Sequence, residues 1–214
     1  MTNRGSSLVL ALWGKGGAGK SCTAIALASL AAAEGRRAIV LDADPQRSTS
    51  EWHGAAKHPP FAVHSTDVGA VARQVEKAKQ HYSVVIIDNP PARYNGSRAV
   101  ADTATHSLVC ARPFRFDLTV AMDWIHFLKD AQAEPLLALT AAPPLRLEVA
   151  PPAVRLARQR LKSAGAILWR HQITHRLIHA DLIQRGMTVA DLAPNVPARL
   201  DYARLWFAIC ERTP

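Results

Sequence analysis

Eight residues near the start of the chain, GKGGAGKS (Gly14 to Ser21), have the types and spacing to hold a phosphorylated ligand. They satisfy the pattern G-x-x-x-x-G-K-[ST]. Glycines at 16, 17 and 19 allow a tight backbone turn that presents N–H groups to phosphate oxygens, and the following helix adds the positive end of its dipole. At this spacing Lys20 reaches the β- and γ-phosphates and the Ser21 hydroxyl is a ligand for Mg²⁺. Gly16, Gly17, Ala18, Gly19, Lys20, Ser21 and Cys22 are the expected nucleotide-binding residues here. Lys15 is a second lysine that a phosphate loop of this kind does not itself need. Two further stretches supply carboxylates. LDADPQRS carries Asp42 and Asp44, suited to holding Mg²⁺ and its waters or to orienting an attacking water. YSVVIIDNPP places Asp88 after an apolar run, where it would bind a water in the metal shell, with Pro90 and Pro91 stiffening the loop behind it. An Asp at a turn or helix start also has local uses, so these assignments rest on the three motifs occurring together.

These residues work only if strand ends bring them to one edge. LVLALW (Leu8–Trp13) before the glycines and the Ala-rich CTAIALASLAAAEG after them read as strand, loop and helix. Further strands are expected at Arg37–Asp42, Phe61–His64, Tyr82–Asp88, His106–Ala111, Pro135–Thr140 and, briefly, Ile167–Trp169. Helices are expected at Ser48–Ala56, Thr66–Gln80, Phe116–Gln132, Ala153–Ser163, from Thr174 or His175 to Arg185, and at Pro197–Ile209. AAPPLRLEVAPP, with two proline pairs, reads as a loop or linker. The alternation predicts an α/β fold: a mostly parallel, doubly wound sheet flanked by helices, in one domain over residues 1–214.

The chain's 214 residues are enough for a sizeable core. No apolar run is long enough to span a bilayer, and MTNRGSS leads straight into the first strand, which predicts no leader peptide. Cys22, Cys110 and Cys210 form no CxxC pair and read as buried thiols in a reducing cytoplasm. The net charge is +9, and from Thr140 onward 11 Lys/Arg stand against 5 Asp/Glu, so +6 of the excess is regional. A polyanion, nucleic acid first, is the partner class this favours.

KGGAGKS, DADPQRS and IIDNPP together resemble the deviant Walker A class of P-loop ATPases and, within it, the ParA partition family of the small, ParF-like kind. The resemblance runs over nearly the whole chain, including ITHRLIHADLIQRGMTVADL. It implies an ATPase that uses ATP and Mg²⁺ and forms a homodimer on ATP. It also implies non-specific DNA binding, a small centromere-binding adaptor that stimulates hydrolysis, and a cytoplasmic, nucleoid-associated location. Lys15 then matches the signature lysine that reaches the partner's nucleotide, and Lys20 the phosphate-loop lysine. Ser21, Asp42 and Asp88 form the metal shell, and Asp44 positions the attacking water. Cys22 follows the metal-binding hydroxyl where the family has Thr, and Asn89 follows Asp88 where it also has Thr. Pro113 matches a proline near the adenine, so ATP over GTP rests on the resemblance. Relatives in the class do other work, and a ParA-like positioner of a protein cargo or an accessory ATPase of conjugative transfer is the competing reading.

For DNA, RLARQRLK places Arg155, Arg158 and Lys162 on one helical face, and Arg170, Arg176 and Arg185 extend the basic content. Leu200, Leu205, Trp206 and Ile209 of the last helix read as a core face, which argues against a membrane-binding tail. His171, His175 and His179 recur every fourth residue, a spacing that can suggest a metal. Without an acidic or Cys partner they read as surface or phosphate-facing groups.

Overall fold

The computed structural model describes residues 7–145, 147 and 149–212. The expectation of no leader rests on residues that, apart from Ser7, lie outside these. The AAPPLRLEVAPP segment contains two more, Arg146 and Glu148.

The strands are β1 (Leu8–Trp13), β2 (Ala38–Asp42), β3 (Ala62–Ser65), β4 (Val84–Asp88), β5 (His106–Ala111), β6 (Leu136–Ala142) and β7 (Ile167–Thr174). They form one sheet in the order β3-β2-β4-β1-β5-β6-β7. Every pairing among the described residues is parallel, so the expected mostly parallel sheet is wholly so here. β1 lies between β4 and β5, the point where the winding reverses and a crevice opens at the carboxyl ends.

A sheet covered on both faces needs strands that are apolar throughout. In β1, Leu8, Leu10 and Leu12 face one layer, and Val9, Ala11 and Trp13 the other. The first layer holds α1 (Lys20–Ala33), α2 (Ser48–Ala55), α7 (Leu177–Gln184) and α8 (Pro197–Cys210). The second holds α3 (Val71–Ala78), α4 (Ser97–Thr103), α5 (Arg115–Asp130) and α6 (Pro152–Ser163). Each fully buried Leu, Val or Ile contributes about 1.5–3 kcal/mol to this core. α1 is buried almost all round, from Thr23 to Ala31, because it packs on the sheet, α2 and α8. Its small alanines allow that close approach and anchor the loop that precedes it. In α8, Leu205, Trp206 and Ile209 are buried as expected, and Leu200 is half-buried. No helix among the described residues is long and apolar enough to cross a membrane.

Four expectations need correction. The helix over Thr66–Gln80 is shorter, with a 3₁₀ turn at Val68–Ala70 leading into α3. α4 was not foreseen, because SRAVADT carries only Val100 and Ala101 as apolar anchors. β7 continues to Thr174 rather than stopping at Trp169, and α7 starts only at Leu177. β7 is an edge strand whose polar residues Arg170 and His171 interrupt any apolar pattern. His171, His175 and His179 therefore lie on a strand, a connection and a helix. His179 is half-buried, edge-on to Tyr202 at 5.6 Å. Finally, of the cysteines only Cys110 is buried. Cys22 is exposed and Cys210 intermediate.

Candidate functional site

The glycine loop leaves β1 between the ends of β4 and β5. Gly14 has φ 138°, and a Cβ there would lie 2.2 Å from the Cys110 carbonyl oxygen of β5. Only glycine lets the loop press on the neighbouring strand. The other side is tied by β6, where the Thr140 hydroxyl donates to the Ala18 carbonyl (2.7 Å). Behind the loop the Trp13 indole N–H donates to Ser107 Oγ (3.2 Å). Lys20 opens α1 and is buried, and Ser21 beside it is half-buried.

Parallel register aligns the acids. Asp42 and Asp88 are direct partners across β2 and β4, and Leu12 of β1 faces Asp88 from the other side. Asp42 is buried, and its Oδ2 accepts from the Ser50 N–H (2.9 Å) and hydroxyl (2.6 Å). Its Oδ1 accepts from the Asp44 N–H (3.3 Å). The Asp44 carboxylate in turn accepts from the Gln46 N–H (2.9 Å). Arg47, with φ 54°, donates from its guanidinium to the carbonyls of Asp42 and Thr66 and fixes the turn.

Asp88 is different. Its Oδ2 accepts from the Thr49 hydroxyl (2.8 Å), while Oδ1 is buried with no hydrogen-bond partner. Burial pushes its pKa from the ordinary 3.8 up to about 6, against the pull of the Ser21 and Thr49 hydroxyls, with Asp42 adding to the rise and Lys20 opposing it. A buried carboxylate oxygen left open, near a serine hydroxyl and a second aspartate, fits a hard divalent cation. Ser21, Asp88 and Asp42 are the residues that would hold Mg²⁺, which supplies charge neutralisation at a phosphate.

This has a consequence for pH. Below about pH 6 native Asp88 keeps its proton, whereas the unfolded chain releases it near 3.8. The native state binds more protons in that window, so stability falls as pH rises from about 4 to about 6, by about 3 kcal/mol in all. Asp88→Asn should therefore melt at a higher temperature than the parent at pH 7 without nucleotide or Mg²⁺, and at nearly the same temperature at pH 4. Thermal denaturation at the two pH values checks this.

Lys15 is 40% exposed, and its ammonium lies 3.5 Å from Asp117 Oδ2 on α5. Asp117, buried at 3% exposure, also accepts from Arg112 Nε (2.7 Å) and Nη2 (3.4 Å). The Arg112 guanidinium rests against the loop, 3.6 Å from where a Gly17 Cβ would be. One buried carboxylate thus gathers two cations beside the phosphate cradle. Pro113 follows and is buried, and Cys22 is an exposed thiol one residue past Ser21. Arg112, Asp117, Thr49 and Thr140 were not singled out from sequence. The one available signal was a lone acid within RPFRFD directly after a strand.

The basic set is dispersed. Arg155 is exposed and donates to the Ala150 carbonyl (3.0 Å), and Lys162 is exposed. Arg158, half-buried, turns away from that helical face and donates to the Trp169 (3.2 Å) and His171 (2.8 Å) carbonyls of β7. Arg170 is exposed and donates to His171 Nε2 (3.0 Å). Arg176 pairs with Asp201 (3.3 Å) and Arg185 with Asp181 (2.9 Å). Arg158, Arg170, Arg176 and Arg204 share a groove of about 550 Å³ with His171 and Asp201.

Comparison with known proteins identifies the family and the fold. The CobQ/CobB/MinD/ParA nucleotide binding domain matches residues 9–205. The chain is 34% identical over 160 residues to maintenance of carboxysome distribution protein A of Gloeobacter kilaueensis, covering 72% of this chain and 71% of that protein. It is 28% identical over 195 residues to protein ParA of Rhizobium radiobacter, covering 90% and 78% respectively. The solved structure of apo McdA from Cyanothece matches with a TM-score of 0.80 at 15% identity, over 97% of this chain and 100% of that one.

Proposed function

This chain belongs to the CobQ/CobB/MinD/ParA family of P-loop nucleotide-binding proteins, and from that premise we propose that it is a Mg²⁺-dependent ATPase that pairs on ATP, binds DNA without sequence preference as the pair, and is released after hydrolysis. Residues 1–214 would act as one ATPase domain in the cytoplasm, on the nucleoid. The observation that carries the reading is Lys15. It is surplus to its own loop, it stands beside the cradle on the exposed side, and Asp117 holds it there (3.5 Å). A lysine so placed can neutralise phosphate charge on a second chain's nucleotide. Lys20 and Ser21 at the start of α1, Asp42 and Asp88 at strand ends and Asp44 in the turn after β2 take the roles that these positions support. A small adaptor protein that stimulates hydrolysis, and partition of a plasmid or chromosome, complete the proposed reading, and the likeness to protein ParA supports the family it is drawn from. The likeness to a protein named for carboxysome distribution favours a second reading, in which the same switch positions a protein cargo.

DNA contact would use the cations that stay in solvent, with Lys162, Arg170 and Arg204 foremost. Pairing two chains doubles the phosphate contacts, and log affinity falls against log salt by about 0.9 for each contact neutralised. Light scattering should give one chain with ADP and two with a slowly hydrolysed ATP analogue. Gel shifts on unrelated duplexes should show binding only in the second state, with loss at high salt. Dimers without DNA binding would move the reading to cargo positioning. A Lys15→Ala chain that pairs and hydrolyses normally would remove the shared-site reading.

A further inference from the structure

The segment after β4 is held by a closed set of contacts that begins at Asn89. This residue is fully buried, and both ends of its amide are used. Nδ2 donates to the Leu12 carbonyl of β1 (3.0 Å), two residues before the glycine loop starts. Oδ1 accepts from the Tyr94 hydroxyl (2.7 Å). Tyr94 stands at the far end of the segment. Its N–H donates to Ser97 Oγ (3.0 Å), and its carbonyl accepts from the Ser97 N–H (3.0 Å), at the start of α4. The ring packs close over Gly96, whose φ is 119° and where a Cβ would lie 3.3 Å from it. Burial pushes the phenol's pKa up, so Tyr94 remains a donor throughout the neutral range.

The hydroxyl therefore closes a loop across Pro90, Pro91, Ala92 and Arg93. Pro90 is buried, while Pro91 lies beside the phosphate loop: a Cβ added to Gly16 would lie 3.7 Å from the Pro91 Cβ. Arg93 is anchored to α5, donating to the Asp123 carbonyl (2.6 Å) with its guanidinium 4.9 Å from the Phe127 ring centre. Asp88, with its open carboxylate oxygen, is the residue immediately before the Asn89 end of the closure.

We propose that Tyr94 is a positioning residue for ATP hydrolysis: through Asn89 it seats the Pro90–Arg93 loop against the glycine loop and holds Asp88 at the level of Asp42. The proposal rests on the ATPase reading above. Without the hydroxyl, Asn89 Oδ1 is a buried acceptor with nothing to accept. The amide must then turn to find a donor, and its tie to Leu12 is strained or lost. Tyr94→Phe keeps the ring and its packing, so the fold stays while the closure opens.

The test is steady-state ATP hydrolysis together with amide hydrogen exchange of the nucleotide-free chain. Tyr94→Phe should lower kcat about tenfold and leave KM for ATP within about twofold, since misplacement at a reacting centre costs rate before binding. In an Asn89→Ala background the same change should add almost nothing, because the two groups act as one unit. Exchange should quicken over residues 89–96 and nowhere else. Wild-type turnover by Tyr94→Phe, or two losses that multiply, overturns the proposal. If the parent chain hydrolyses no ATP, the ATPase reading fails by itself. The closure is then judged on exchange alone, and unchanged protection over 89–96 overturns it.

Discussion

Lys20→Ala should lose ATP binding, whereas Asp44→Ala should bind ATP and stop before hydrolysis. Lys20 is buried at the first turn of α1, where its ammonium meets phosphate charge with little water to screen it. Hydrogen bonds to charged groups contribute about 1.5–3 kcal/mol each, so losing contacts to two phosphates weakens binding by about 100-fold or more. Asp44 sits in a turn fixed by Gln46 and Arg47, after the end of β2 rather than in the glycine loop. Its carboxylate can orient a water without holding the nucleotide. Removing such a group costs about 10²–10⁴ in rate and leaves affinity nearly intact. Nucleotide titration and phosphate release on both variants separate the roles. An Asp44→Ala protein with normal turnover would strip that residue of its function.

Gly14→Ala should be the most damaging added methyl among the described glycines. Its φ of 138° is one that alanine rarely adopts, and the new carbon would stand 2.2 Å from a backbone oxygen of β5. Neither strand can retreat, since each is paired on both sides. Strained backbone and overpacking together cost about 3–5 kcal/mol, or about 10 °C in Tm for a chain of this size. Gly19→Ala is the control. Its φ is 78°, but nothing lies within 4 Å of the added carbon, so the cost is about 1–2 kcal/mol. If Gly14→Ala melts with the parent, the loop does not rest on β5 as described.

Much of the site could be read in the sequence because its signals are local. A strand, a glycine-rich turn and a helix follow one another between Leu8 and Ala33, and Asp42 and Asp88 each close an apolar run. Parallel pairing then brings them level. What could not be read depends on contacts far apart along the chain. Lys15 and Asp117 meet across 102 residues, and Thr140 and Ala18 across 122. No periodicity encodes such meetings. Cys22 looked like part of an apolar helix, yet it stands in the first turn of α1, where it is exposed. β7 was under-read for a related reason. An edge strand is half solvated, and its Arg170 and His171 look like loop residues until the sheet is assembled.

The reach of Arg158 to the Trp169 and His171 carbonyls bears on how copies of this chain can meet. A sheet that ends on an uncovered strand is a template for another molecule's strand. Here two of the acceptors that an incoming strand would need are already occupied by one guanidinium. Molecules crowded together on a shared surface are thereby kept from joining sheet to sheet along β7. β3 is the sheet's other edge, so the block acts at one edge alone, and Arg158→Ala is the change that would reopen it.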